Sequence, residues 1–215
     1  MLNVLAANLP YLLKGAEVTL WLSVTVVSLG TLLGVVIGVL ATVGNSVIRA
    51  FITAYIFALR GIPILVVMFL GYYACPALGI PVNVYIAVGV AQIIYVGAFV
   101  AEITRSAIAS VPPGQVAAAR SLGMRRGAIL RQVVLPQATR IAIPPILNNS
   151  LTAIKQTSYA SIVGVWELTY AAREIVERTL AAFQIFIGVM AIYFLICYPL
   201  SLAARWSEKR SLVIH

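Results

Sequence analysis

What most constrains this chain is the length of its apolar runs. Val18 to Val43 contains no charged residue, and runs of similar length with few charges follow: Ala50 to Ala77, Val82 to about Ile108, Ile141 to about Val165, and Phe183 to Ala204. Crossing hydrocarbon takes about 20 mainly apolar residues in a helix, where every backbone N–H and C=O finds a partner within its own segment. Five such runs predict an all-α transmembrane fold with five membrane-spanning helices, forming a single transmembrane domain over residues 1–215. Only 10% of the residues are charged, against roughly 25% in soluble domains. The net charge of +9 does not point to nucleic acid, because the basic residues fall in loops between apolar runs, where positive-inside bias puts them.

Residues 1 to 17 carry Pro10, Gly15 and Glu17, and read as an interfacial helix ahead of the first span. They lack the charged n-region and cleavage site of a signal peptide, so the first run is expected to stay in the mature protein. Within that run Gly30, Gly34 and Gly38 recur every four residues, the small-residue spacing that lets two membrane helices approach closely. The second run is interrupted at Arg60-Gly61-Ile62-Pro63. Such a break frees backbone groups that only protein or a wet cavity can satisfy; alternatively the span starts after Pro63 and Arg60 snorkels to the interface. Near the end of the third run, Glu102 and Arg105 stand three apart. On a helix they are neighbours, either a paired couple at the membrane edge or, with Glu102 titrating, a proton relay.

The fourth run is unusually polar, with Asn148, Asn149, Ser150, Thr152, Lys155, Gln156, Thr157 and Ser158. A mid-membrane charge costs at least about 2.5 kcal/mol on insertion scales, so this helix must face protein or water. Trp166 to Ala182 reads as an amphipathic, water-exposed helix. Cys75 and Cys197 have neither metal-ligand spacing nor a local partner, and the single histidine is His215. No phosphate-binding loop or nucleophile elbow is present, so neither a metal site nor ATP hydrolysis is expected of this chain. Basic residues collect at Arg49, from Arg105 to Arg140, and in the tail at Arg205, Lys209 and Arg210. That side is expected to be cytoplasmic, which puts the N-terminus outside and the C-terminus inside.

One basic, amphipathic interlude organises the chain, from Pro112 to Pro136. The two prolines at 112 and 113 stop the preceding helix. A short helix from Gln115 to Leu122 is predicted next, then a left-handed turn at Gly123, then a second helix from Arg125 to Leu135 that stops at Pro136. This helix-turn-helix resembles the cytoplasmic coupling loop of ABC importer permeases, Glu-Ala-Ala-x3-Gly-x9-Ile-x-Leu-Pro, through Ala118, Ala119, Gly123, Val133, Leu135 and Pro136. Ala117 stands where the family has glutamate. With Arg60-Gly61-Ile62-Pro63, Pro136-Gln137-Ala138-Thr139-Arg140, Lys155-Gln156-Thr157-Ser158 and Trp166-Glu167-Leu168, the chain is similar to the polar amino acid permeases over most of its length.

The resemblance implies a subunit that is not itself an enzyme and holds no cofactor, ATP being bound by a partner. Two ABC ATPase subunits would grip the loop through Gln115, Ala117, Ala118, Ala119, Arg120, Leu122 and Gly123. A second permease, identical or different, would complete the pathway, and an extracytoplasmic solute-binding protein would deliver a polar amino acid. The setting is a bacterial or archaeal inner membrane. For the substrate, Asn149, Lys155, Gln156, Thr157 and Ser158 are the candidates, with Glu167 and Arg60 beside them; the alternative is that the same polar groups only hold helix to helix. A secondary transporter and a structural membrane subunit without a pathway are the rival readings.

Overall fold

The computed structural model describes residues 2–212, and every regular element in it is helical. Met1 and His215 lie outside the described residues, as does the side chain of Arg210. Three helices are long and apolar enough to cross a membrane, within Val4–Val43, Val84–Ala109 and Ala182–Lys209, and a bent pair makes a fourth candidate.

Helix α1 runs without a break from Leu2 to Val43, where an interfacial helix and a separate span were expected. At about 1.5 Å per residue it is roughly 63 Å long, about twice the hydrocarbon thickness. Pro10 lies inside it, and Gly15 is no breaker: a Cβ there would lie 2.9 Å from Leu168 Cα. The glycine is a packing residue. Leu12 and Ala16 join Leu168, Ala172, Ile175, Ile185 and Val189 in a compact apolar cluster at this end of the molecule.

The glycine spacing further along α1 is used as expected. Helix α4, Val84–Ala109, lies so close that a Cβ on Gly30, Gly34 or Gly38 would fall 2.8 Å from Val96, 2.5 Å from Val100 and 2.6 Å from Thr104. Helix α4 is the central element, with Val88, Ala98, Val100 and Ala101 almost inaccessible. Its first turn is capped by Asn83, whose Oδ1 accepts from Tyr85 N at 2.8 Å.

Between them the chain forms α2, Ser46–Gly61, and α3, Ile64–Ala77. These meet at 107°, since Pro63 cannot continue a helix hydrogen-bond ladder. At about 24 and 21 Å neither half crosses hydrocarbon alone.

The interlude folds as read at its start. Helix α5, Pro113–Ser121, ends beside Gly123 at φ 75°, and Gly123 N donates to Arg120 O at 2.9 Å while Met124 N donates to Ala119 O at 3.2 Å. Helix α6, Arg126–Ile129, passes directly into a π-helical segment, Leu130–Val134, and then into α7, Leu135–Gln156. Pro136 therefore does not stop the helix. The wider π turn, in which Leu135 N donates to Leu130 O, opens the hydrogen-bond ladder just ahead of Pro136, so a residue without an N–H is accommodated inside a continuous helix.

A 3-10 helix over Thr157–Val163 ends on Gly164 at φ 90°. Helix α8, Leu168–Thr179, and α9, Ala182–Leu212, complete the chain. Helix α8 is amphipathic as expected, but its apolar face (Leu168, Ala171, Ala172, Ile175) is fully buried rather than open to water. The start of α1 and α8 thus share one end of the molecule. The α5–α6 hairpin packs at the other, through Ala107, Val111, Ala119, Ile129 and Val134.

Candidate functional site

The break between α2 and α3 places Arg60 opposite the last turns of α4. Its guanidinium lies 3.7 Å from Glu102 and stacks over the Phe99 ring at 5.7 Å. Glu102 in turn accepts two bonds from Arg105, at 2.7 and 2.8 Å, a bidentate pair of fixed geometry. Arg60, Glu102 and Arg105 line a cavity of about 880 Å³ between α2 and α4, which extends past Thr53 to Arg49. Arg49, Thr53, Ile56 and Arg60 fall on one face of α2 because their spacing follows the helix repeat. With the Glu102 carboxylate compensated by Arg105, the lining keeps an excess of guanidinium that can take the carboxylate of an amino acid.

Of the residues read from the sequence as substrate contacts, Arg60 alone lines this cavity. The rest lie on or beyond α7, and several are already engaged. Thr157 Oγ1 donates to Ile154 O at 2.7 Å and Ser158 Oγ donates to Lys155 O at 2.8 Å. The Gln156 backbone carbonyl accepts from Gln92 at 3.3 Å. Buried Gln92 Oε1 and Asn149 Nδ2 have no partner. Lys155 is exposed, on a polar stripe with Asn148, Thr152 and Tyr159. Asn148 donates to Glu208 Oε1 of the last helix at 2.9 Å; the remainder of the stripe, within a membrane, requires water or protein against it.

Glu167 is where the structure departs most from a substrate role. It is fully buried: Oε1 caps α8 by accepting from Tyr170 N at 3.0 Å, and Oε2 accepts from Thr19 and Tyr193, each at 3.1 Å. Burial pushes its pKa above the ordinary value, with the hydrogen bonds opposing. Nearby, Glu174 is held below its ordinary value by bonds from Tyr11 and Trp166, so the linker between α7 and α8 is stapled to α1.

On the hairpin, Gln115, Ala117, Ala118, Arg120, Leu122 and Gly123 are exposed, and Leu122 is 82% accessible. Ala119 is turned inward and only 5% accessible, so it holds the hairpin together rather than meeting a partner. Ala117 is the fifth residue of α5, beyond the first turn where a helix dipole acts strongly. A carboxylate there would act through contact with a partner, not through the dipole.

Glu102 and Arg105 stand out in the sequence as neighbours, an edge couple or a proton relay, whereas nothing in the sequence marks the buried Gln92. The pair's spacing was visible; its convergence with Arg60 depends on the 107° bend.

Comparison with known proteins gives a consistent result. Residues 30–213 match the family described as binding-protein-dependent transport system inner membrane component. A probable glutamine ABC transporter permease protein of Bacillus subtilis (strain 168) is 34% identical over 208 residues, covering 97% of this chain and 96% of that protein. The glutamine transport system permease protein of Escherichia coli (strain K12) is likewise 34% identical, covering 96% and 95%. Among solved structures, an amino acid ABC transporter with histidines superposes with a TM-score of 0.89 at 32% identity, covering 96% of each chain. The MetNI methionine ABC transporter, in an inward-facing form, shares the fold at a TM-score of 0.76 and 19% identity, covering 94% of this chain and 97% of that one.

Proposed function

This chain belongs to the binding-protein-dependent transport system inner membrane components and is a permease subunit of an amino acid ABC importer; from that premise we propose that it carries a polar amino acid of the glutamine class through the cavity between α2 and α4. The observation that carries this reading is the convergence of Arg60, Glu102 and Arg105 on one cavity. Arg60, the guanidinium not locked in the bidentate pair, takes the substrate carboxylate, and Glu102, held by Arg105, keeps Arg60 in place. The family names of two relatives supply the substrate class.

ATPase and binding-protein partners follow from the family. Two ATPase copies, gripping the exposed face of α5, are part of the proposal, with ATP bound there and no cofactor in this chain. So is a second permease, identical or different, facing the polar stripe of α7. We further propose five spans: α1, the bent α2–α3 pair, α4, α7 and α9. Helix α7 is about 33 Å long, enough to cross, but its polar side chains keep it from reading as apolar. The hairpin end carries Arg49, Arg120, Arg125, Arg126 and Arg131 and is cytoplasmic on positive-inside grounds, leaving the N-terminus outside.

Uptake of labelled glutamine by cells producing this chain with its ATPase and binding protein tests the site. Arg60→Gln and Glu102→Gln should each raise the half-saturating concentration at least tenfold, while the ATPase still copurifies. Unchanged half-saturation in both variants would overturn the assignment.

A further inference from the structure

A second cavity, of about 620 Å³, lies at the hairpin end, and its charge is all of one sign. Arg49 from the start of α2, Arg120 from α5 and Arg126 from α6 line it together with Val43, Val111 and Leu130. No carboxylate faces it among the described residues: residues 103–166 contain neither Asp nor Glu, and Glu102, the nearest in sequence, is paired with Arg60 and Arg105. Arg49 makes a single long bond of 3.4 Å to Gly44 O. For Arg120 and Arg126 no side-chain bond or ion pair is found. Three guanidiniums from three segments thus line this cavity with no carboxylate in its lining among the described residues, Arg49 standing between it and the α2–α4 cavity.

The rest of the lining identifies the anion. Val43 ends the first long apolar helix and Val111 follows the end of α4, so the cavity sits where apolar span meets basic loop. Basic pockets between helix ends at this level suit the phosphate of a membrane lipid, whose acyl chains continue along the apolar surface. A soluble anion would gain nothing from the valines.

We propose that this cavity binds the headgroup phosphate of an anionic phospholipid, and that the bound lipid ties the coupling hairpin to the turn between α1 and α2. The inference does not depend on the α2–α4 cavity being the substrate site. An arginine near a charged membrane surface contributes about 1 kcal/mol, so losing one should weaken retention about fivefold.

The test uses the whole transporter, permease with its ATPase subunits, reconstituted in phosphatidylcholine vesicles containing a minority of phosphatidylglycerol. It is then re-extracted, and the lipid carried with the protein is counted by native mass spectrometry. The wild type should retain phosphatidylglycerol well above its share of the bilayer, Arg126→Gln should retain about fivefold less, and Arg126→Lys should keep most of it. The ATPase subunits should stay bound in all three. Retention in proportion to bilayer composition, or equal retention by Arg126→Gln and wild type, overturns the proposal. So does displacement of the lipid by millimolar inorganic phosphate, which would mark a soluble-anion site. Loss of the ATPase from Arg126→Gln with lipid retention unchanged also overturns it, and assigns the arginines to the ATPase interface.

Discussion

Replacing Gly34 with alanine probes the contact that holds the two longest apolar helices together. The added Cβ would sit 2.5 Å from Val100 Cβ and 2.7 Å from Gly97 O, whereas carbon atoms settle at about 3.5 to 4.0 Å. Neither neighbour can rotate away, because one is a Cβ fixed by the backbone and the other is a carbonyl oxygen. Relief requires α1 and α4 to separate by about 1 Å, which also opens the contacts at Gly30 and Gly38. Overpacking of this kind costs typically 1–3 kcal/mol; taking about 2 kcal/mol, the melting temperature in detergent should fall by about 4–8 °C. Gly127→Ala is the control, since nothing lies within 4 Å of its added Cβ and alanine is the better helix former by about 0.8–1 kcal/mol. It should melt at or above the wild-type temperature. Gly34→Ala melting with the wild type would refute the close-packing argument.

Gly123→Leu should leave the chain inserted yet reduce ATPase copurification, since φ 75° costs a non-glycine residue about 1–2 kcal/mol and nothing packs nearby to compensate; wild-type copurification would contradict it. Leu180 is already at φ 55° and 88% exposed, so Leu180→Asn should raise the melting temperature by a degree or more, and a lowered value would count against a strained turn. For Glu167, burial raises the folded pKa above 4.5, so the folded state holds its proton more tightly than the unfolded one. Its contribution is full below 4.5 and is lost as pH rises through the folded pKa. Melting temperature should therefore decline across that window, and Glu167→Gln should flatten the decline; parallel slopes would refute it.

Features governed by local backbone chemistry were legible in the sequence. Gly123 needed a left-handed turn, Pro63 needed a break, and the four-residue spacing of Gly30, Gly34 and Gly38 needed a close helix partner; each is found in place. Features decided by what packs against a residue were not. Gly15 reads as part of an interfacial helix ahead of the first span, whereas it is a contact point for Leu168 inside one continuous helix. Pro136 looked like a stop because the π turn ahead of it leaves no mark in residue type. Glu167 looked available because its partners Thr19 and Tyr193 are far away in sequence. The candidate site divides the same way: Arg60 and the Glu102–Arg105 couple could each be singled out, but their convergence could not.

The energy source for transport is the most direct test of an ATP-driven permease. Vesicles holding this chain with its ATPase subunits, supplied with binding protein on one side, should accumulate labelled glutamine when ATP is present on the hairpin side. Accumulation should persist when an uncoupler collapses the proton gradient and cease when ATP is withheld. Uptake that continues without ATP and stops with the uncoupler would contradict the account and indicate an ion-coupled carrier.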